Sequence, residues 1–290
     1  FTLDEIVVSA SRVKEPIRDV PKHVTVISGA DIEASSGKSV IDLLGKEAGI
    51  SVRSNSGTDK QAVVDLRGMG DTAASNVIVM VDGIRLNAPD QSGPSISSIP
   101  VEQIERIEIV RGAGSVVYGS GAVGGVVNVI TRQAGETPSA SLYSSYGSYD
   151  TLDTRVSFDD TIRDLGISLN AGYYDSDGYR DNGFLEKTDF SAKARYPFNE
   201  RFTFLLSGTY YEDEYGLPGP VPGEDIDSEA RRIRTARPDD SGETSEIRGR
   251  AGVEVNLDRW GTLVAKRGYR FRENDYVLGY NPQIPRGEQE

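Results

Sequence analysis

Apolar and polar residues along this chain follow two rhythms, and the change between them falls within Gln133 to Pro138, where turn-forming residues cluster. Upstream, short apolar runs are separated by helical signals and glycine-rich turns. Ser28 is placed to cap a helix running through Ser36, with Asp31 and Glu33 in a first turn where carboxylates complement the helix dipole. A second helix is predicted from Ser39, with Ile41, Leu44 and Ala48 on one face and Gly49 as its stop. Val63–Leu66, Val77–Val81 and Arg106–Val110 read as short strands, so this half is expected to be a small mixed α+β domain.

Downstream the period is two. Leu152, Thr154, Val156 and Phe158 share a face opposite Asp153, Arg155 and Ser157, and Ile167, Leu169, Ala171 and Tyr173 repeat the pattern. Phe190, Ala192, Ala194, Tyr196 and Phe198 alternate with Asp189, Ser191, Lys193 and Arg195, and Phe202–Tyr210, Ile247–Leu257 and Leu263–Phe271 follow. These antiparallel strands are long for a soluble domain. Short turns alternate with long polar loops such as Gly216–Gly242, which is the asymmetry of an outer-membrane barrel. A soluble β-sandwich also fits the period. The polar face tips the reading toward a barrel wall, because it carries Lys193, Arg195, Arg248, Arg250, Lys266, Arg270 and Arg272, as a wet lumen or a contact with a polar plug requires. Tyr143, Tyr146, Tyr173, Tyr196 and Tyr210 are candidates for interfacial girdles.

Composition narrows the chemistry. The 290 residues include no cysteine and one histidine, His23, which excludes thiolate sites and makes a Ser/His triad or a zinc cluster improbable. A formal charge of -13 argues against nucleic acid as a partner. The longest aliphatic run, Val77–Val81, is far short of the roughly 20 apolar residues of a membrane helix, although strands of ~9 to 11 residues suffice for a barrel. No signal-peptide pattern opens the chain, so any such segment is expected to have been removed.

Two motifs invite chemical readings. GSGAVG, from Gly119 to Gly124, matches a dinucleotide fingerprint in letters, but a strand follows where that fingerprint needs a helix, so tight backbone packing is the better account. Asp175, Asp177 and Asp181 in one predicted loop, and Glu224, Asp225, Asp227, Asp239 and Asp240 in another, are oxygen clusters of the kind that hold calcium; the alternative is plain solvation. No cofactor is required, and no motif speaks for an enzyme.

DLRGMG from Asp65, VIVMVDGIRLN from Val77 and IPVEQIERIEIVRGAGSVVYGSGAVGGVVNVITR from Ile99 together resemble the plug domain of TonB-dependent outer-membrane receptors, over about Asp4 to Arg132. The wording is most similar to the vitamin B12 receptor subgroup, with ferric-siderophore receptors close behind. The resemblance implies a location in the bacterial outer membrane and energy-coupled import of cobalamin or a ferric siderophore. It implies a plug inside a barrel of about 22 strands. The domains are then residues 1–12 as N-terminal extension and TonB box, 13–134 as plug, and 135–290 as roughly the first seven or eight barrel strands.

The same resemblance marks Asp4, Glu5, Ile6, Val7, Val8, Ser9 and Ala10 as a TonB box, a segment able to add a strand to TonB of the inner-membrane energising complex; its alternative is a first strand of the plug sheet. It further implies that Arg67 and Arg111 lock the plug to carboxylates on later barrel strands, a role for which the planar guanidinium is suited; an ordinary ion pair within the plug is the alternative. A partial barrel leaves unpaired edges in lipid, so closure is expected to come from further strands or from a second polypeptide. Rival readings are a scaffold subunit of a split barrel and a secreted β-sandwich binding module.

Overall fold

Local sequence signals build the N-terminal domain. In the computed structural model, which describes residues 6–7, 15–17, 23–35, 39–53, 60, 62–87, 94, 96–135, 137–221, 223, 227–235 and 237–279, two short strands come first, β1 (Ile6–Val7) and β2 (Glu15–Pro16). They pair antiparallel as a separate two-stranded sheet. Strand β3 (His23–Ser28) runs into helix α1 (Gly29–Ala34) through a capping box: the Ser28 hydroxyl accepts from the Asp31 N–H at 3.2 Å, and the Asp31 carboxylate accepts from the Ser28 N–H at 3.0 Å. The Ser28 hydroxyl also donates to the Asp31 carboxylate at 2.6 Å, and this bond, with the one from the Ser28 N–H, holds the Asp31 carboxyl below its usual range.

Helix α2 (Val40–Gly45) is capped by Ser39 and buries Val40, Ile41, Leu43 and Leu44. It stops earlier than the apolar pattern suggests, and Ala48 lies outside it. Beyond Leu43 the main chain tightens into three-residue bonds, with Lys46 N–H donating to Leu43 and Glu47 N–H to Leu44, and the chain then turns into β4 (Ile50–Arg53).

Strand β5 (Val63–Leu66) pairs with β4, and the short helix α3 (Ala73–Asn76) leads into β6 (Val77–Val81), β7 (Ile84–Arg85), β8 (Ile104–Arg111), helix α4 (Ser115–Tyr118) and β9 (Gly125–Thr131). The order β3-β8-β9-β6-β7 makes a five-stranded mixed sheet in which only the β6–β9 pair is parallel. Leu44, Leu66, Val79, Leu86, Ile104, Ile107, Val127 and Val129 form its main core. The GSGAVG segment is a loop between α4 and β9. A methyl group on Gly125 would stand 2.5 Å from the Val110 carbonyl, and one on Gly124 would sit 3.2 Å from the Asn76 carbonyl, so close backbone approach explains these glycines.

The second half is one antiparallel meander of seven strands: β10 (Ser139–Gly147), β11 (Thr151–Ile162), β12 (Leu165–Ser176), β13 (Leu185–Pro197), β14 (Phe202–Gly216), β15 (Ser241–Asn256) and β16 (Thr262–Val277). A short helix, α5 (Glu229–Ile233), lies in the loop between β14 and β15. Cross-strand register sorts the two faces. Phe190, Tyr210, Ile247 and Phe271 stand in one row and are all exposed, whereas Ser191, Thr209, Arg248 and Arg270 make up the adjacent row facing the N-terminal domain. Val253 shares the outward row of Tyr196 and Phe204. The apolar face therefore points away from the N-terminal domain, as lipid contact requires, and a two-sheet sandwich core is excluded.

The connections at one end, 163–164, 198–201 and 257–261, are short, while those at the other include 177–184 and 217–240. At the short-turn end Phe198 stacks edge-on with Tyr196 and Phe204, at 6.4 and 6.2 Å between ring centres. Of the girdle candidates, Tyr146, Tyr173, Tyr196 and Tyr210 are exposed and lie on the outward rows. Tyr143 is the exception: its register with Arg155 turns it inward, where the guanidinium lies 5.4 Å from its ring centre.

Candidate functional site

The strand wall and the N-terminal domain meet through polar groups in three tiers. Nearest the long-loop end, Lys60 is only 3 % exposed. Its ammonium donates to both carboxylate oxygens of Asp213 on β14 and, at 2.8 Å, to the Thr244 hydroxyl on β15. The rings of Tyr215 and Tyr211 lie 4.7 and 5.6 Å from the nitrogen, and the Tyr211 hydroxyl donates to Asp213. Burial is the largest influence on Lys60 and outweighs the pull of Asp213, lowering its pKa to about 8.

In the middle tier Arg155 on β11 bridges Glu102 of the N-terminal domain and Asp153 of its own strand. Arg248 on β15 donates to the Ser98 carbonyl at 2.7 Å, and Arg270 on β16 donates to the Leu86 carbonyl at 2.6 Å and to Glu246 at 2.8 Å.

The third tier rests on a two-residue turn. Asp82 and Gly83, at φ 50° and 85°, join β6 to β7 in the conformation that Asp-Gly favours in tight hairpins. The turn presents Asp82 to the wall. Its carbonyl accepts from Arg250 at 2.7 Å, its carboxylate accepts from the same guanidinium at 3.2 Å and from the Thr131 N–H at 2.9 Å, and Lys193 donates to the Arg132 carbonyl at 2.8 Å. Most of the wall's contribution is cationic. Lys60 is the reverse case, a cation from the domain meeting an acid of the wall.

Sequence reading flagged Lys193, Arg248, Arg250 and Arg270 as a face suited to a polar plug, and these four do reach the N-terminal domain. Arg195 is exposed on the same inward-facing register. The acids that answer the cations, Asp82 and Glu102, and the Lys60–Asp213 pair were missed. The Asp-Gly dipeptide ahead of a strand was the one local signal available for them.

Arg67 and Arg111 lie close together. Arg67 is exposed, with its guanidinium 3.5 Å from where a methyl group on Gly112 would be. Arg111 donates to the Ala48 carbonyl at 2.7 Å and to Thr25, and stands 3.2 Å from His23 Nδ1. Neither meets a carboxylate among the described residues. Of the Asp4–Ala10 segment only Ile6 and Val7 are described. Their pairing with β2 is separate from the five-stranded sheet, against the reading as its first strand; the other positions lie outside the described residues.

Of the calcium candidates, Asp175 sits within β12 on its outward row, and Asp177 and Asp181 follow in the connection, where the Asp177 N–H is bound to Tyr149 and the Asp181 N–H to Ile233. Among the described residues no group of three acids or histidines is placed to hold a metal ion. In the second acidic loop Glu224 and Asp225 lie outside the described residues, and Asp240 is engaged by Arg237 at 2.8 Å.

Residues 16–126 match the family described as TonB-dependent Receptor Plug Domain. Over 228 residues, 75 % of this chain, the sequence is 32 % identical to the vitamin B12 transporter BtuB of Vibrio vulnificus (strain CMCP6), of which it spans 37 %. The fold is similar to that of the unliganded ferric citrate transporter FecA, with a TM-score of 0.77 at 22 % identity over 90 % of this chain and 41 % of that one. It is likewise similar to the ferric yersiniabactin uptake receptor FyuA from Yersinia pestis, with a TM-score of 0.77 at 18 % identity, 90 % of this chain and 42 % of that one being covered. The chain thus spans about two fifths of the length of these relatives. With a plug domain followed by antiparallel barrel strands, an outward apolar face and a polar inner one, the chain belongs to the TonB-dependent receptors of the bacterial outer membrane.

Proposed function

We propose that this chain forms the plug and first wall strands of an active importer for a nutrient too large for porins, cobalamin being favoured over a ferric siderophore. The observation that carries the reading is the polar character of the plug–wall contact. Arg155, Lys193, Arg248, Arg250 and Arg270 hold the plug by hydrogen bonds and ion pairs that water can replace, unlike a dry apolar core whose exposure is costly. A plug seated in this way can be displaced and can return. Cobalamin is favoured because the relative at 32 % identity is named a vitamin B12 transporter.

Force enters through Asp4–Ala10, which adds a strand to TonB, and no covalent step is assigned to the protein. Arg67 and Arg111, lacking acids among the described residues, pair with carboxylates on further barrel strands. Those strands continue from the open edges of β10 and β16, each paired on one side only among the described residues, and they belong to this polypeptide or to a second one.

The test is uptake of labelled cobalamin, and in parallel of a labelled ferric siderophore, by cells carrying the full-length receptor with or without Asp4–Ala10. Deletion should abolish cobalamin uptake while surface binding stays nearly intact. Undiminished uptake by the deletion refutes the coupling role, and siderophore uptake without cobalamin uptake reverses the choice of cargo. Photo-crosslinkers placed beside Arg67 and Arg111 should capture strands beyond Glu290 or a partner chain; capture confined to Phe1–Glu290 removes the lock.

A further inference from the structure

Between the plug and strands β13 to β15 lies a small, partly open cavity whose lining includes Asp82, Gln103, Lys193, Thr209, Arg248 and Arg250. Its polar lining is rich in donors. Gln103 is 5 % exposed and its Nε2 has no hydrogen-bond partner. Arg248 is 7 % exposed and its Nη1 has none either, while its Nε stands 3.1 Å from Glu246 without the alignment of a hydrogen bond. Of the acceptors nearby, Asp82 takes Arg250 and Thr131 and Ser98 O takes Arg248, while Glu246 Oε1, 3.1 Å from Arg248 Nε, is itself without a hydrogen bond. Counting the groups around the cavity, the cations Lys193, Arg248, Arg250 and Arg270 face the carboxylates Asp82 and Glu246, with Asp189 also acting on Arg248 and Asp159 and Glu105 on Lys193, so the charges are close to balanced.

Buried N–H groups without acceptors are expensive, and those of a guanidinium more so. We propose that this cavity is a binding site for a small inorganic anion, held by Gln103 Nε2 from the plug and Arg248 Nη1 from the wall. The anion supplies the acceptor that both donors lack and ties the Pro100–Gln103 segment to β15. Nothing in this assignment depends on which nutrient the receptor carries, or on whether it carries one.

Bromide is the probe, because it is small and scatters anomalously. In the full-length receptor in detergent, raising sodium bromide against sodium gluconate at constant ionic strength should lift the thermal midpoint by about a few degrees and then saturate. Gln103→Leu should abolish the dependence. That substitution leaves intact the main-chain bonds from Gln103 N–H to Pro100 and from Arg132 N–H to the Gln103 carbonyl, so the segment keeps its fold. Crystals grown in bromide should show an anomalous peak between Gln103 and Arg248. A midpoint indifferent to bromide, an equal shift in Gln103→Leu, or water without anomalous signal at that position overturns the proposal.

Discussion

Replacing Lys60 with methionine isolates what one buried ion pair contributes to seating the plug. The substitution keeps most of the aliphatic length and removes the ammonium, leaving the Asp213 carboxylate buried on the wall with the Tyr211 hydroxyl as its remaining donor. Breaking a buried pair from one side typically costs about 3 to 5 kcal/mol, and the surviving Tyr211 bond places this case near about 3. At ~1.4 kcal/mol per tenfold change, the plug strand Val63–Leu66 should open about a hundredfold more often. Amide hydrogen exchange of peptides covering that strand, read by mass spectrometry on the full-length receptor in detergent, measures this directly. Adding Asp213→Asn removes the stranded charge, so the double variant should recover most of the loss, about 2 kcal/mol. Exchange within about threefold of wild type, or a double variant as labile as the single one, refutes the assignment of Lys60 as an anchor.

The same residue gives a pH dependence. Lys60 titrates near 8 in the folded plug against 10.5 ordinarily, so between these values the unfolded chain keeps a proton that the folded one has released; the advantage of wild type over Lys60→Met should therefore grow as pH rises through this window, and a flat or shrinking difference in denaturant midpoints contradicts it. Gly172→Ala on β12 places a methyl group 2.6 Å from Asp189 Oδ1, which is buried between plug and wall, and should lower stability by about 1 to 3 kcal/mol in the same denaturant assay; a neutral result shows that Asp189 has room to move. Ser28→Ala removes the capping hydroxyl of α1 and should cost about 1 kcal/mol, seen as faster exchange in Asp31–Ala34 alone; unchanged exchange there shows the cap to be redundant.

The wall was legible because its period is two and its faces differ chemically, so Phe190 to Phe198 and Ile247 to Leu257 announced both strand and orientation. Tyr143 could not be placed from its own neighbours, since only the register with Arg155 decides which face it takes. Ser28 was found as a helix cap and Ser39 as a helix start because these are local signals, whereas the end of α2 depends on how the chain enters β4. Lys60 and Asp213 stand 153 positions apart, and no spacing rule joins residues whose partnership arises when one domain fills the other. For the acids at 175, 177 and 181 spacing along the chain does not tell that the first lies on a strand while the other two are bound through their N–H groups to Tyr149 and Ile233.

The wall's reach to Ser98, Leu86 and Arg132 ends in each case on a main-chain oxygen, and its reach to Asp82 does so in part. A carbonyl is present whatever side chain the position bears. Mutational drift at Ser98, Leu86 or Arg132 is therefore invisible to Arg248, Arg270 and Lys193 so long as the backbone path is kept. Covariation between plug and wall will accordingly be faint at the contacts with Ser98, Leu86 and Arg132 and concentrated at Lys60 with Asp213, Glu102 with Arg155 and Asp82 with Arg250, where both ends are side chains. A chimera that exchanges the plug for one of the same backbone path should keep the carbonyl contacts at once, and would need matched substitutions at those three pairs.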